Sequence, residues 1–302
     1  MPKEKKDYGR IDFRDQIAGN KLKSFFLMVV IFAVIVLFGY VISFAFEPGY
    51  FFIIMIISIV FSMFYLLISY YNSDKIALAS VRAKLADRTQ YRQYYSIVEG
   101  LTIASGMPMP KLYIMPSQQI NAFASGRNPR NSVICVTEGA LNKLNKEELE
   151  GVLAHELSHV ANYDIRFMTL TAVMVGMIAI ISEIFLRSMW MRGSSDDSKG
   201  KGIFILIGLV LAILAPIFVQ LVQLAISRKR EYSADASAVK FTRYPPGLIN
   251  ALKKIRSENS PEKKIPKAVA PLFFANPFSA GFKELTSTHP AIEKRIEVLE
   301  KM

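Results

Sequence analysis

Two long runs without a single charged side chain constrain this sequence more than any other feature: Phe25–Phe46 and Tyr50–Tyr71. About 20 apolar residues cross a bilayer as a helix, because lipid offers the backbone no hydrogen-bond partner and a helix satisfies its own. Only Glu47-Pro48-Gly49 separates the runs, so they read as a transmembrane hairpin closed by a tight turn. Tyr65, Tyr70 and Tyr71 stand near the far end, where interfacial anchors belong. A secretory signal also begins basic and then turns apolar, but its core is much shorter and ends at a small-residue cleavage site. The connection carries no Lys or Arg, whereas the flank before it carries Lys3, Lys5, Lys6, Arg10, Arg14, Lys21 and Lys23. The positive-inside rule then places the N-terminus and everything after Tyr71 in the cytoplasm.

Bulk composition agrees. The 302 residues are 52% hydrophobic with a mean hydropathy of +0.28, too apolar for an ordinary soluble domain. The net charge of +12 is accounted for by basic membrane flanks. No stretch interleaves basic and aromatic residues in a recognisable module, so nucleic acid is not an expected partner. The single cysteine, Cys135, excludes an intramolecular disulfide and cysteine-rich zinc sites. It lies in the strand-like run Ser132–Thr137 and reads as a small buried hydrophobe.

Along the chain, residues 1–24 form a basic arm and 25–71 the first hairpin. Residues 74–105 read as one long helix, stopped by Gly106-Met107-Pro108. Strands are expected at Lys111–Met115, Gln119–Ala124 and Ser132–Thr137, with turn chemistry over Ser125–Arg130. Asn145 with Glu148 three residues later forms a capping box opening the next helix. Phe167–Leu186 and Ile203–Ile226 are two further apolar spans, a second hairpin that crosses the membrane or lies partly in its interface. Helices follow after Ser227, over Gly247–Glu258 and from Pro290 onward.

Inside the apolar run Leu149–Val160 stands His155-Glu156-Leu157-Ser158-His159. Residues four apart share a helix face, so the two imidazoles converge on one metal ion, with Glu156 beside them to take a proton from water. This is the zincin spacing, and the chain has only 3 histidines in all. The Gly and third His that a metzincin carries after the motif are absent from Val160–Arg166. A third ligand must come from His289 or a carboxylate. Asp164 lies too close along the same helix, and Glu183 sits within an apolar span. Glu231 heads a helix just after the second apolar pair, with Asp235 one turn on and able to accept a ring N–H from a metal-bound histidine. Glu231 reads equally well as an ion-pair partner of Arg228 or Arg230.

Together these stretches resemble the HtpX family of membrane zinc metalloproteases, relatives of the CAAX prenyl proteases. The matching pieces are Asn121-Ala122-Phe123-Ala124-Ser125-Gly126, Val136-Thr137-Glu138-Gly139, Glu148 through His159, Ser227-Arg228, Glu231-Tyr232-Ser233-Ala234-Asp235 and Thr288-His289-Pro290. They occur in the family's order and cover most of the chain after the second span. The resemblance implies that Glu231 is the third zinc ligand and Asp235 the carboxylate behind a zinc-bound histidine. It also implies a quality-control protease that cuts unfolded or damaged proteins and faces the cytosol.

The expected fold is mainly α with a small β-sheet: a zincin-type metalloprotease domain, 72–166 and 227–302, anchored by transmembrane hairpins at 25–71 and 167–226. Glu156 would be the general base. His289 would donate to the reacting carbonyl, or alternatively cap the last helix. Asn121 would orient a substrate strand added to the edge of the sheet. Two other functions fit the same residues: a protease for one lipid-modified or peptide substrate, and a zinc-stabilised membrane scaffold without catalysis.

Overall fold

The computed structural model describes residues 13–43, 48–173, 228–260, 265–266, 269–277 and 290–302. Among the described residues, two helices are long and apolar enough to cross a membrane, with candidate spans Ile17–Leu37 and Pro48–Ser80. The first helix, α1 (Phe13–Ser43), starts well before the uncharged run at Phe25. Its early turns belong to the helix because Asn20, Ser24, Leu27 and Ile31 form one buried stripe at helical spacing. The second, α2 (Phe51–Ser80), leaves Phe52, Ile56, Ile57 and Phe64 exposed, an apolar surface suited to lipid rather than water. Gly39 of α1 lets the two helices touch, since a Cβ there would lie 1.8 Å from Ser58 Oγ.

The single long helix expected over 74–105 is two helices. α2 stops at Ser80, and Arg82 turns the chain with a left-handed φ of 55°. Lys84–Leu85 then pairs as β1, and the Asp87 carboxylate accepts the N–H groups of Thr89 and Gln90 at 2.8 and 2.9 Å. The pairing of β1 ends the helix, the Asp87 turn leads on from it, and α3 (Arg92–Ser105) begins afterwards, ending at Gly106 with φ 68°.

The sheet has four strands in the order β1-β2-β4-β3. β2 (Lys111–Met115) runs parallel to β4 (Asn131–Thr137), and β3 (Ala122–Asn128) forms an antiparallel hairpin with β4. The expected turn at Ser125–Arg130 comes later, because β3 continues through a register shift between Gly126 and Asn128. Last in the strand order, β3 is an edge strand among the described residues. Helix α4 (Glu138–Lys143) follows, capped by Thr137, and α5 (Lys146–Ala161) opens on the expected capping box of Asn145 and Glu148.

α5 is the axis of the domain, and every residue from Gly151 to Ala161 is buried. Val152, Leu153 and Leu157 share one core with Ile134 and Val136 of β4 and with Val98 and Leu101 of α3. That core also takes in Leu248 and Leu252 of α8 (Pro245–Glu258) and Ile296 and Leu299 of α9 (Ile292–Leu299). After α5 comes α6 (164–173), and across the core α7 (Arg228–Thr242) lies against α5. Of the expected second hairpin only residues 167–173 are described, and they are helical; its remainder lies outside the described residues.

Candidate active site

The motif helix and α7 bring three donors together. His155 Nε2 and His159 Nε2 are 3.1 Å apart. Glu231 Oε2 is 3.7 Å from the first and Oε1 3.6 Å from the second. Around a tetrahedral ion with bonds of about 2.0–2.1 Å, donor atoms stand roughly 3.4 Å from one another. Two imidazoles and a carboxylate, all buried and at these separations, therefore fit a zinc-sized ion. Among the described residues no other group of histidines and carboxylates does so.

Each imidazole is held from behind. His155 Nδ1 lies 2.8 Å from Asp235 Oδ1, and His159 Nδ1 lies 3.0 Å from Asp164 Oδ2. Each Nδ1 faces a carboxylate and donates to it, so that Nε2 is the nitrogen turned to the metal position, free on His155 and freed on His159 by loss of its second proton. Arg295 Nη2 also comes within 3.3 Å of His155 Nδ1, but two donors do not bond each other; they share Asp235 Oδ1, to which Arg295 Nη2 donates at 2.7 Å. Arg295 Nε adds a second bond to Asp235 Oδ2 at 2.9 Å, and the guanidinium stacks on Phe274, whose ring meets His155 edge-on.

Charge and burial split the site's titration. Burial first, then the Arg295 charge, pushes His155 down to about 4. Burial acts the same way on His159, but its hydrogen bond to Asp164 and the charges of Glu231 and Asp164 outweigh it and hold His159 at about 9. Burial pushes the Glu156 carboxyl up to about 7, and the Ala124 backbone N–H of β3 partly offsets this by bonding it. Burial would also raise Asp235, yet Arg295 and His155 hold it well below the usual carboxylate range. A carboxyl tuned near neutrality beside a metal position is suited to moving protons.

Of the residues singled out from sequence, His155, Glu156, His159, Glu231 and Asp235 meet in this one cluster. Asn121 stands at its edge, with Nδ2 donating to Ala275 O at 2.8 Å and Oδ1 accepting from Ala275 N–H at 3.1 Å. His289 lies outside the described residues. Asp164, set aside as a ligand, serves the far nitrogen of His159 instead. It reaches because α5 does not run on: Tyr163 has φ 59° and folds the chain back before α6. Arg295 belongs to no motif, and its one signal in the sequence is that a charged residue three positions after Ile292 falls on the apolar stripe of that helix.

Residues 87–302 match peptidase family M48. The protease HtpX homologue of Dictyoglomus thermophilum is 42% identical over 290 residues, covering 96% of this chain and 95% of the relative. That of Dictyoglomus turgidum is 43% identical over 292 residues, with coverage of 96% and 95%. That of Streptococcus gordonii is 37% identical over 300 residues, with coverage of 95% and 99%. The crystal structure of S. mikatae Ste24p aligns with 95% of this chain and 67% of its own, at a TM-score of 0.50 and 19% identity, a likeness of fold. The motif helix of this chain with its two histidines, its two lipid-suited helices and the protease relatives agree: the chain belongs to peptidase family M48 and is a membrane metalloprotease.

Proposed function

We propose that the metal is zinc, one ion per chain, held by His155, His159 and Glu231, and that the enzyme hydrolyses peptide bonds of unfolded or damaged proteins at the cytoplasmic face of the cell membrane. The observation that carries this reading is the convergence of His155 Nε2, His159 Nε2 and the Glu231 carboxylate beside Glu156. A bound zinc ion supplies a Lewis acid that polarises the scissile carbonyl and lowers the pKa of water towards neutrality. Glu156 takes the proton of the attacking water and returns it to the leaving amine, a role its near-neutral carboxyl supports. Asp235 and Asp164 keep the two rings in one tautomer throughout.

The substrate strand adds to the outer edge of β3. At Ala122 that edge is taken, since Phe274 N–H donates to Ala122 O at 2.8 Å and Phe123 pairs with Phe273. Further along, the Ala124 N–H bonds Glu156 and the Gly126 N–H reaches Thr169 Oγ1, so the added strand pairs at the Ala124 carbonyl, beside Glu156, and Asn121 fixes the wall formed by residues 273–275. Main-chain pairing gives affinity without strict sequence preference, which suits unfolded chains.

Glu156→Gln tests the chemistry. Zinc content should stay at one per chain while cleavage of reduced casein falls by about 100-fold or more; undiminished cleavage overturns the general-base role. Preference for a prenylated peptide over casein would replace the quality-control reading. His289→Ala should lower turnover with zinc retained if His289 donates to the reacting carbonyl; unchanged turnover leaves it a helix cap.

A further inference from the structure

The first membrane helix reaches into the metal site. Asn20 of α1 is 5% exposed, and its Nδ2 donates to Asp164 Oδ1 at 2.7 Å and to Asn162 O at 3.0 Å. The other oxygen of the same carboxylate, Asp164 Oδ2, holds His159 Nδ1. An unbroken set of contacts thus leads from α1 through Asp164 to one metal ligand. The placement is built rather than incidental. Asn20, Ser24, Leu27 and Ile31 occupy one face of α1, and Leu27 and Ile31 pack on Phe167 and Leu170 of α6. Lys21 lies over the Tyr163 ring, 4.6 Å from its centroid, at the bend that turns Asp164 back. The apolar contacts fix the register of α1, and the register sets Asn20 against Asp164.

A carboxylate that orients a histidine must itself be held. Asp164 has two oxygens, and a rotation about its side chain would move the one that serves His159. Arg230 Nη1 stands 3.8 Å from Oδ1, too far for a hydrogen bond, so it contributes charge without direction. Asn20 contributes the direction. We infer that Asn20 is a positioning residue: through Asp164, the first membrane helix holds zinc ligand His159 in place, so the metal centre is complete only with α1 docked. This rests on His159 being a zinc ligand.

The test uses the full chain in detergent micelles. Zinc release to a chromophoric chelator is followed for the parent, Asn20→Leu, Asn20→Ala and Ser24→Ala, with peptide turnover measured alongside. Both Asn20 substitutions should speed zinc loss about tenfold or more, the usual cost of removing a partner behind a metal ligand. They should lower kcat with KM unchanged, and the gain in melting temperature that zinc confers should shrink beyond the few degrees that the two lost hydrogen bonds take from the chelated protein. Ser24→Ala, on the same buried face, should change none of these. In the Asp164→Asn background, Asn20→Leu should add nothing further. Parent-like zinc release from the Asn20 variants overturns the proposal, as does an equal effect of Ser24→Ala or a full additional effect in the Asp164→Asn background. A parent protein that binds no zinc, or binds it undisturbed by His159→Ala, overturns instead the ligand assignment beneath it.

Discussion

Arg295 carries a charge at a position with almost no access to water, 1% exposed. Burial would lower its pKa, but Asp235 above all, then Glu231 and Glu156, raise it. Its two bonds to Asp235 need a planar fork, and its third neighbour Glu231 is 3.8 Å away. Arg295→Met should therefore destabilise the protein by about 3–5 kcal/mol, read by chemical denaturation, because Asp235 is left buried and charged. Arg295→Lys should recover only part of this, since an ammonium cannot span both oxygens. The arginine was legible only as an exception to an apolar stripe, whereas His155 and His159 announced themselves by spacing. Spacing reveals ligands that share a helix; a counter-charge delivered from α9 has no local signature.

The two histidines also set how metal binding depends on pH. His155, at about 4, is already neutral near pH 7, while His159, at about 9, carries a proton that zinc must displace. Apparent zinc affinity should rise about tenfold per pH unit between 7 and 9, with close to one proton released per ion, measured by titration calorimetry in buffers of different ionisation enthalpy. The stability of the metal-stripped protein should run the other way. The pKa of His159 is raised on folding, so its ion pairing with Asp164 and Glu231 contributes fully below about 6.5 and is lost as pH rises through about 9. A metal-stripped melting temperature that climbs from pH 7 to 9 would contradict this.

Among the elements, α5 depends on close approach. Gly151 lies where a Cβ would sit 2.7 Å from Leu248 N and 2.8 Å from Leu248 Cα, and backbone cannot step aside as a side chain can. Gly151→Ala should separate α5 from α8 and cost about 2 kcal/mol, with part of the loss appearing as weaker zinc binding because α5 carries two of the three proposed ligands. The element pattern was largely visible in sequence where its cause is local. The capping box at Asn145 marks the start of α5, and strands β2 and β4 follow their β-branched and apolar residues. The break after Ser80 was not visible, because Ala79, Ser80 and Val81 continue a helix pattern. What ends it is pairing of Lys84–Leu85 with Tyr113 and Ile114, a contact between distant segments. The bend at Tyr163 escaped for a similar reason: the residue is no glycine, and its left-handed φ goes with the capture of Asp164 by His159 and Asn20.

At the scale of the molecule, an ion at the proposed metal position would join α5 to α7 and, through the proposed role of Asn20, the catalytic domain to its first membrane helix. Removal of zinc should loosen these junctions before it melts the core. Hydrogen exchange at Arg228–Thr242 and at residues 164–173 should quicken on chelation, while β2 and β4 keep their protection. Uniform quickening across the sheet would mean the metal supports the whole fold.

The order in which the site's parts occur along the chain has a further consequence. Asn20 comes first, then His155, Glu156, His159 and Asp164, and much later Glu231, Asp235 and Arg295. A ribosome delivers them in that order. While the chain is being made, the zinc motif emerges without its third ligand, without the carboxylate behind His155 and without the cation that neutralises it. Until Glu231 emerges the chain offers two of the three proposed donors, and until Arg295 follows Asp235 lacks its counter-charge. The proposed site closes only after residues 1–230 have left the ribosome, so those segments meet no complete site of their own while they are being made.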